Sequence, residues 1–310
     1  MRFLITGATG LIGKEIVALC HKRNIAVNYL TTSKEKIVSR GRYQGFYWDP
    51  DSGEIDLACF SEVSAIINLA GASISKRWTD HYKKEILASR INSLKTLYKG
   101  LEQVDSKKIT SFVSASAIGI YPNSLGSYYT EDEKRVDDSF LGEVVNAWEK
   151  EADSFETFDL NVLKIRIGLV LSAEGGALPQ MVRPIKNCVG AALGSGEQWQ
   201  SWVHIEDLAR IFLFVVEHEL KGVYNGVGPN AVTNKKLIRE IAKVLDRPLI
   251  LPNVPEFVLK TILGEMSYLL LASQRVSSKK IEDEGFVFHF PNIDMALHST
   301  CKSDGEPRSS

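Results

Sequence analysis

Arg2-Phe3-Leu4-Ile5-Thr6-Gly7-Ala8-Thr9-Gly10-Leu11-Ile12-Gly13 is the stretch that decides the fold. Arg2–Thr6 reads as a buried strand. Gly7–Gly13 follows it with the spacing G-x-x-G-x-x-G, and Leu11, Ile16, Val17 and Leu19 then recur with a helical period. Ala26–Leu30 reads as a second strand, so strand, glycine turn, helix and strand make one βαβ unit. Each glycine has a physical use in a nucleotide loop. The first permits a tight turn, the second lets backbone N–H groups approach a pyrophosphate, and the third lets helix and strand pack closely. The same glycines could form a turn without a ligand, but their place between strand and helix argues for the cofactor. The expected contacts are Gly7, Thr9, Gly10, Leu11, Ile12 and Gly13.

The end of the second strand separates the two nicotinamide dinucleotides. An acidic residue there bonds the ribose 2′-hydroxyl and repels a 2′-phosphate. This chain has Leu30-Thr31-Thr32-Ser33-Lys34 instead, so NADP(H) is expected over NAD(H), held by Thr32, Ser33 and Lys34. Lys34 as a plain solvated loop lysine is the competing reading, and no arginine stands at this position.

Outward from the loop, Ala65–Leu69, Ser111–Ser114 and Val162–Ile167 read as further strands, separated by helical patterns at Asp80–Gln103 and Glu143–Phe158. Strands alternating with helices predict a doubly wound parallel sheet in an α/β protein. After Gly168 the chain is glycine-rich and weakly periodic. Trp202–Glu217 returns to strand then helix, Val223–Val227 is a short strand, and Asn234–Leu245 is a helix that Thr233 would cap. A hydrophobic helix is expected around Phe257–Leu271. Residues 1–171 with 202–228 are therefore expected to form the nucleotide-binding domain. Residues 172–201 with 229–300 would form a smaller lobe, and 301–310 a polar, disordered tail.

The bulk properties exclude several classes. A net charge of −1 provides no electrostatic footprint for nucleic acid or a membrane surface. Cys20, Cys59, Cys188 and Cys301 form no C-x-x-C pair, which speaks against a metal site and for a reducing compartment. The longest apolar run, Ile211–Val216, is far short of the ~20 residues that span a bilayer. No signal-peptide pattern precedes the first strand. A soluble, cytoplasmic protein acting on a small molecule is expected, with a homodimer compatible but not specified.

These motifs resemble the extended short-chain dehydrogenases, and within them one atypical, epimerase-family branch (NAD-dependent epimerase/dehydratase-like). The marks are Asn68-Leu69-Ala70-Gly71, Arg77-Trp78-Thr79, Glu85-Ile86 and Ser89-Arg90-Ile91-Asn92-Ser93. They continue with Ser114-Ala115-Ser116-Ala117-Ile118-Gly119, Phe140-Leu141, Trp148-Glu149, Gly194–Trp199, Ser201–Leu208 and Leu263-Gly264-Glu265-Met266. The resemblance implies a Rossmann domain with a smaller C-terminal substrate lobe. It implies cofactor contacts at Leu69, Ala70, Gly71, Arg90 and Arg166, and a substrate cleft with Trp78, Gln198, Trp199, Trp202 and His204.

Ordinary members of the superfamily use Tyr-x-x-x-Lys, the lysine lowering the pKa of a tyrosine acid/base. No tyrosine here is followed four residues later by lysine, and Leu141 and Val145 stand in those places. Ser116 keeps the serine position and could bond a substrate oxygen; as a loop serine it could equally be satisfied by its neighbours. Tyr121 could supply the missing phenol or simply pack. Arg90 could reach the cofactor or sit in a surface ion pair, Arg166 could lie by the nicotinamide or in an ion pair, and His204 could titrate or be a structural donor. Trp48-Asp49, after a short strand, could contact the adenine or pack in a turn. Two readings of function follow: an NADP(H)-dependent oxidoreductase or epimerase with a non-standard active site, or a catalytically degenerate, cofactor-loaded sensor or scaffold.

Overall fold

The computed structural model describes residues 1–301. The chain divides into two compact units, one of Met1–Ile120, Asp138–Arg166 and Ala209–Tyr224, the other of Tyr121–Asp137, Ile167–Leu208 and the described residues from Asn225 onward.

The first unit is built on one large sheet. Its strands lie in the order Gly222–Gly226, Asn161–Ile167, Ser111–Ala117, Ala65–Asn68, Arg2–Thr6, Ala26–Thr31, Tyr43–Asp49 and Ser39–Arg40, with Glu54–Ile55 paired beside Tyr43–Asp49. Arg2–Thr6 pairs in parallel with both Ala26–Thr31 and Ala65–Asn68, so the strand order reverses direction at the first strand. This is the Rossmann order with its topological switch point, where open α/β sheets bind ligands beyond the carboxyl ends of their strands. Helices on both faces bury the strands, which is why they read as continuous apolar runs: all six residues of Ala26–Thr31 are buried.

Local chemistry starts the helices. Thr79 caps Asp80–Leu101 by accepting from the Tyr82 N–H, and Ser139 caps Phe140–Asp153 by accepting from the Gly142 N–H. Helix Leu11–Lys22 differs: Gly10 stands at its N-cap, no side chain caps it, and its first turn holds no acidic residue. A Cβ on Gly13 would lie 2.2 Å from the Gly7 carbonyl oxygen, so only glycine lets this helix settle so close to the strand end.

The second unit has its own core of Leu171, Leu178, Ile185, Trp202, Leu237, Ile241 and Leu297. Short strand pairs organise it: Leu169–Leu171 with Trp202–His204, Trp199–Gln200 with Val232–Thr233, and Arg275–Val276 with Tyr128–Tyr129. The last pairing explains why residues 121–137 belong to this unit, although the sequence reading put them in the nucleotide-binding domain. Residues 202–208 belong to it as well. Thr233 caps helix Asn234–Val244 as expected, accepting from the Lys236 N–H.

Three expectations need correction. The glycine-rich stretch after residue 172 contains a helix, Ala177–Lys186, with Pro184 inside it. The hydrophobic segment 257–271 is not one helix. It breaks at Gly264, whose φ of 59° leaves helices Glu256–Leu263 and Tyr268–Leu271 joined by a 3₁₀ turn. Cys301 closes helix Ile293–Cys301 rather than opening a tail, and the disorder expected for 302–310 falls outside the described residues. Among the described residues no helix is long and apolar enough to cross a membrane.

The Gly13 contact makes a sharp comparison. Gly13→Ala should cost roughly 3 kcal/mol or more, because backbone must move. The melting temperature should then fall by about 6 °C or more. In Gly10→Ala the added methyl meets only the Gly7 oxygen, at 3.2 Å, and the loss should be about 1 kcal/mol. Calorimetry of the two variants checks the order.

Candidate active site

The site of the first unit begins with one hydroxyl. Thr6 Oγ1, at the end of the first strand, donates to Asn68 Oδ1 at 2.7 Å and accepts from the backbone N–H groups of Leu69 and Ala70 at 2.9 and 3.0 Å. It thereby joins the ends of the two strands that flank the switch point. Gly7, with φ of 66°, turns the chain there, and a Cβ on it would lie 3.1 Å from the Leu69 carbonyl. Beyond the turn, the first N–H groups of helix Leu11–Lys22 have no intrahelical acceptor, as at every helix start, and no side chain supplies one. Bare donors at the positive end of a helix, with glycine allowing close approach, fit a dinucleotide pyrophosphate.

Next to this loop, Arg90 lies along the Gly71 backbone: a Cβ on Gly71 would come 3.2 Å from Arg90 Cζ. Arg90 Nη1 donates to the carbonyls of Ala72 and Ile86 at 3.2 and 2.8 Å, and Ser89 Oγ accepts from the Ala72 N–H at 2.9 Å. Its Nε and Nη2 have no protein acceptor among the described residues, and no carboxylate pairs with it, so the surface ion pair weighed above is not formed. Burial pushes its guanidinium down to about 10. The Trp148 ring lies under it, 5.0 Å from Cζ to centroid, and the Trp148 indole N–H is buried without a hydrogen-bond partner. These unspent donors suit an acceptor-rich ligand.

Ser116, Glu149 and Arg166 form a buried network. Ser116 Oγ donates to Glu149 Oε1 at 2.6 Å, and Arg166 grips the same carboxylate through Nε and Nη2, both at 2.8 Å. All three residues are less than 9% exposed. Arg166 is thus in an ion pair. Ser116 spends its only proton on Glu149, so toward anything else its oxygen can only accept. Sequence reasoning singled out Trp148-Glu149 as a motif but missed this task for Glu149, because its partners lie 33 and 17 residues away. Leu141 faces the turn after the Ser116 strand, with its Cβ 3.5 Å from where a Cβ on Gly119 would be. A tyrosine at 141 would have pointed into that turn; leucine offers it no proton, and Val145 is buried.

The remaining candidates scatter. Thr32 and Lys34 are exposed at the end of the second strand, where Ser33 N–H bonds Thr31 Oγ1 at 3.2 Å and the Lys34 ammonium lies 4.7 Å above the Tyr47 ring. Trp48 and Asp49 lie within the strand Tyr43–Asp49 rather than after it, and Trp48 is buried there. Tyr121 is not an available phenol: it is 0% exposed, donates to Asn225 Oδ1 at 2.7 Å and stacks on Tyr129. Trp78 belongs to the first unit, packed edge-on to Phe140 with its indole bonded to the Ile74 carbonyl. In the second unit Trp202 is core rather than cleft, 0% exposed and bonded to the Asn230 carbonyl. His204 is buried against Phe290, its Nδ1 accepting from the Glu206 N–H. Gln198 is spent on the carbonyls of Leu193 and Leu270. Trp199, like Trp78, is half-buried, and the Arg275 guanidinium lies over its ring.

Comparison with known proteins agrees with this fold. The family model described as NAD dependent epimerase/dehydratase family matches residues 3–226, and a domain of unknown function (DUF1731) matches residues 254–300. Epimerase family protein SH2119 of Staphylococcus haemolyticus is 38% identical over 297 residues, covering 96% of this chain and 97% of that one. Epimerase family protein YfhF of Bacillus subtilis is 36% identical over 299 residues, covering 96% and 97%. Among solved structures, human epimerase family protein SDR39U1, crystallised with NADPH, is similar with a TM-score of 0.84 and 29% identity, covering 96% of this chain and 98% of that one.

The ion pair can be tested by a mutant cycle. Glu149→Leu removes the carboxylate that faces a buried guanidinium and should cost about 3–5 kcal/mol. Adding Arg166→Met should restore most of that loss, read by urea denaturation of the two variants.

Proposed function

This chain belongs to the NAD-dependent epimerase/dehydratase family, and from that premise we propose that it binds NADP(H) in preference to NAD(H) and acts as an oxidoreductase or epimerase on a small molecule. One observation carries the cofactor preference: the second strand ends in Thr31-Thr32-Ser33-Lys34, with hydroxyls and an ammonium where a carboxylate would reject a 2′-phosphate. The NADPH in the human relative supports it. The Gly7–Gly13 loop would hold the pyrophosphate, Thr32, Ser33 and Lys34 the 2′-phosphate, and Leu69, Ala70, Gly71 and Arg90 the rest of the dinucleotide.

When bound, the nicotinamide supplies hydride chemistry. What this chain's own residues add departs from the superfamily. With Leu141 and Val145 in the acid/base positions, the proton must travel by another route. Ser116, held by Glu149, can accept a hydrogen bond from a ligand O–H or N–H and so orient it, but has no proton of its own to give. A second reading, a cofactor-loaded sensor or scaffold without turnover, is favoured by the burial of Ser116 and Tyr121 and by the commitment of both their protons.

Fluorescence titration of the purified chain should yield micromolar NADPH binding, with NADH at least about tenfold weaker. Lys34→Glu should weaken NADPH by about tenfold or more and leave NADH within about twofold. Equal affinities, or no micromolar binding of either, would sink the cofactor reading. A panel of carbonyl substrates, followed by NADPH loss, then separates the two functions: turnover by the wild type supports the enzyme, and silence across the panel supports the sensor.

A further inference from the structure

The second unit holds a cation that the cofactor site does not use. Arg275 opens the strand Arg275–Val276 with its side chain exposed, and its guanidinium lies over two aromatic rings. Cζ is 4.4 Å from the Trp199 ring centroid and 5.2 Å from that of Tyr128. No carboxylate pairs with it among the described residues. A guanidinium stacked on rings keeps its planar N–H edge outward, and that edge matches the two oxygens of a carboxylate or phosphate.

The clamp is built by backbone, not by chance contact of long side chains. Arg275 is in register with Tyr128 across a parallel strand pair, and Gln200 bridges Gln274. Trp199 is fixed at both ends: its N–H bonds Ser273 Oγ and its indole N–H the Leu125 carbonyl, each at 3.1 Å. Ser273 Oγ in turn donates to the Ser124 carbonyl at 2.9 Å, while the Ser124 N–H bonds the Ser273 carbonyl at 2.9 Å. Three segments distant in sequence therefore fix the Trp199 ring and the backbone of Arg275 and Tyr128 in one arrangement. Such preorganisation is what a bidentate receptor needs and a lone surface arginine lacks.

We propose that Arg275, held against Trp199 and Tyr128, is a binding site for an oxyanion, the carboxylate or phosphate of a small molecule. The site is independent of the nicotinamide reading and lies wholly in the second unit, so its test needs no cofactor.

The test is NMR of the whole chain without nucleotide, following the tryptophan indole and arginine Nε–H signals. Sodium phosphate and sodium malonate are titrated separately at constant ionic strength, with chloride as the control. The expected result is a saturable shift of the Trp199 indole and Arg275 Nε–H with at least one of the two oxyanions, at a dissociation constant on the order of 1 mM, and none with chloride. Which of the two saturates tells phosphate from carboxylate. Arg275→Gln should abolish the shift at Trp199. Arg275→Lys should weaken binding by about tenfold, since an ammonium lacks the two-donor edge. Tyr128→Leu removes one ring from an exposed position with little risk to folding and should weaken binding by about threefold or more. Responses no larger than chloride's would overturn the proposal, and so would Arg275→Gln or Arg275→Lys binding within about twofold of wild type. Should Arg275→Gln fail to fold, Arg275→Lys and Tyr128→Leu decide.

Discussion

The passage of helix Leu11–Lys22 over the end of the first strand is the constraint on which the nucleotide site depends. With Gly13 seated against the Gly7 carbonyl, the helix can present its uncapped N-terminus at the switch point of the sheet. A Cβ at 13 would lift the helix and turn those N–H groups away. The Thr6 hydroxyl completes the arrangement from the other side, by fastening the loop Leu69–Gly71 to the end of the same strand. Loop, helix start and neighbouring loop are thus one rigid edge made from short-range sterics and a single side-chain oxygen.

Charge inside the first unit is arranged in two opposite ways. Arg166 is matched by Glu149, which also holds Ser116, so that network is electrically closed. Arg90 is not matched: it rests on Trp148 beside Gly71 with donors to spare, and desolvation depresses its pKa. An unmatched, partly buried guanidinium costs folding free energy that a bound anion can offset. The first network acts as a brace between strand and helix, whereas the second keeps donors unspent.

Much of the fold was legible because its signals are local. Apolar runs of strand length, a helical period after the glycines, and caps at Thr233 could all be read within a few residues. The misreadings have local causes too. Glycines and Pro184 hid the helix Ala177–Lys186, whose burial against the second unit's core overrides weak propensity. Gly264 looked tolerable inside an apolar segment, yet its left-handed backbone breaks the helix there. Among the site residues, Trp199 and Trp202 stand three apart in one motif, and nothing in the pattern says that one is core while the other stacks on Arg275. Whether Tyr121 offered a phenol or packed could not be read locally, because its partner, Asn225, is 104 residues away.

By itself, then, the sequence determined the βαβ start, the dinucleotide loop, the absence of an acid after the second strand and the loss of the tyrosine–lysine pair. These rest on backbone conformation and on which residue occupies a position, and both are properties of a short window. Only the tertiary structure decided which polar groups are already spent. Ser116 and Arg166 close on Glu149, Tyr121 closes on Asn225, and Arg90 and Arg275 keep donors open. A hydrogen bond or ion pair depends on groups brought together across tens of residues, at distances that no spacing along the chain encodes.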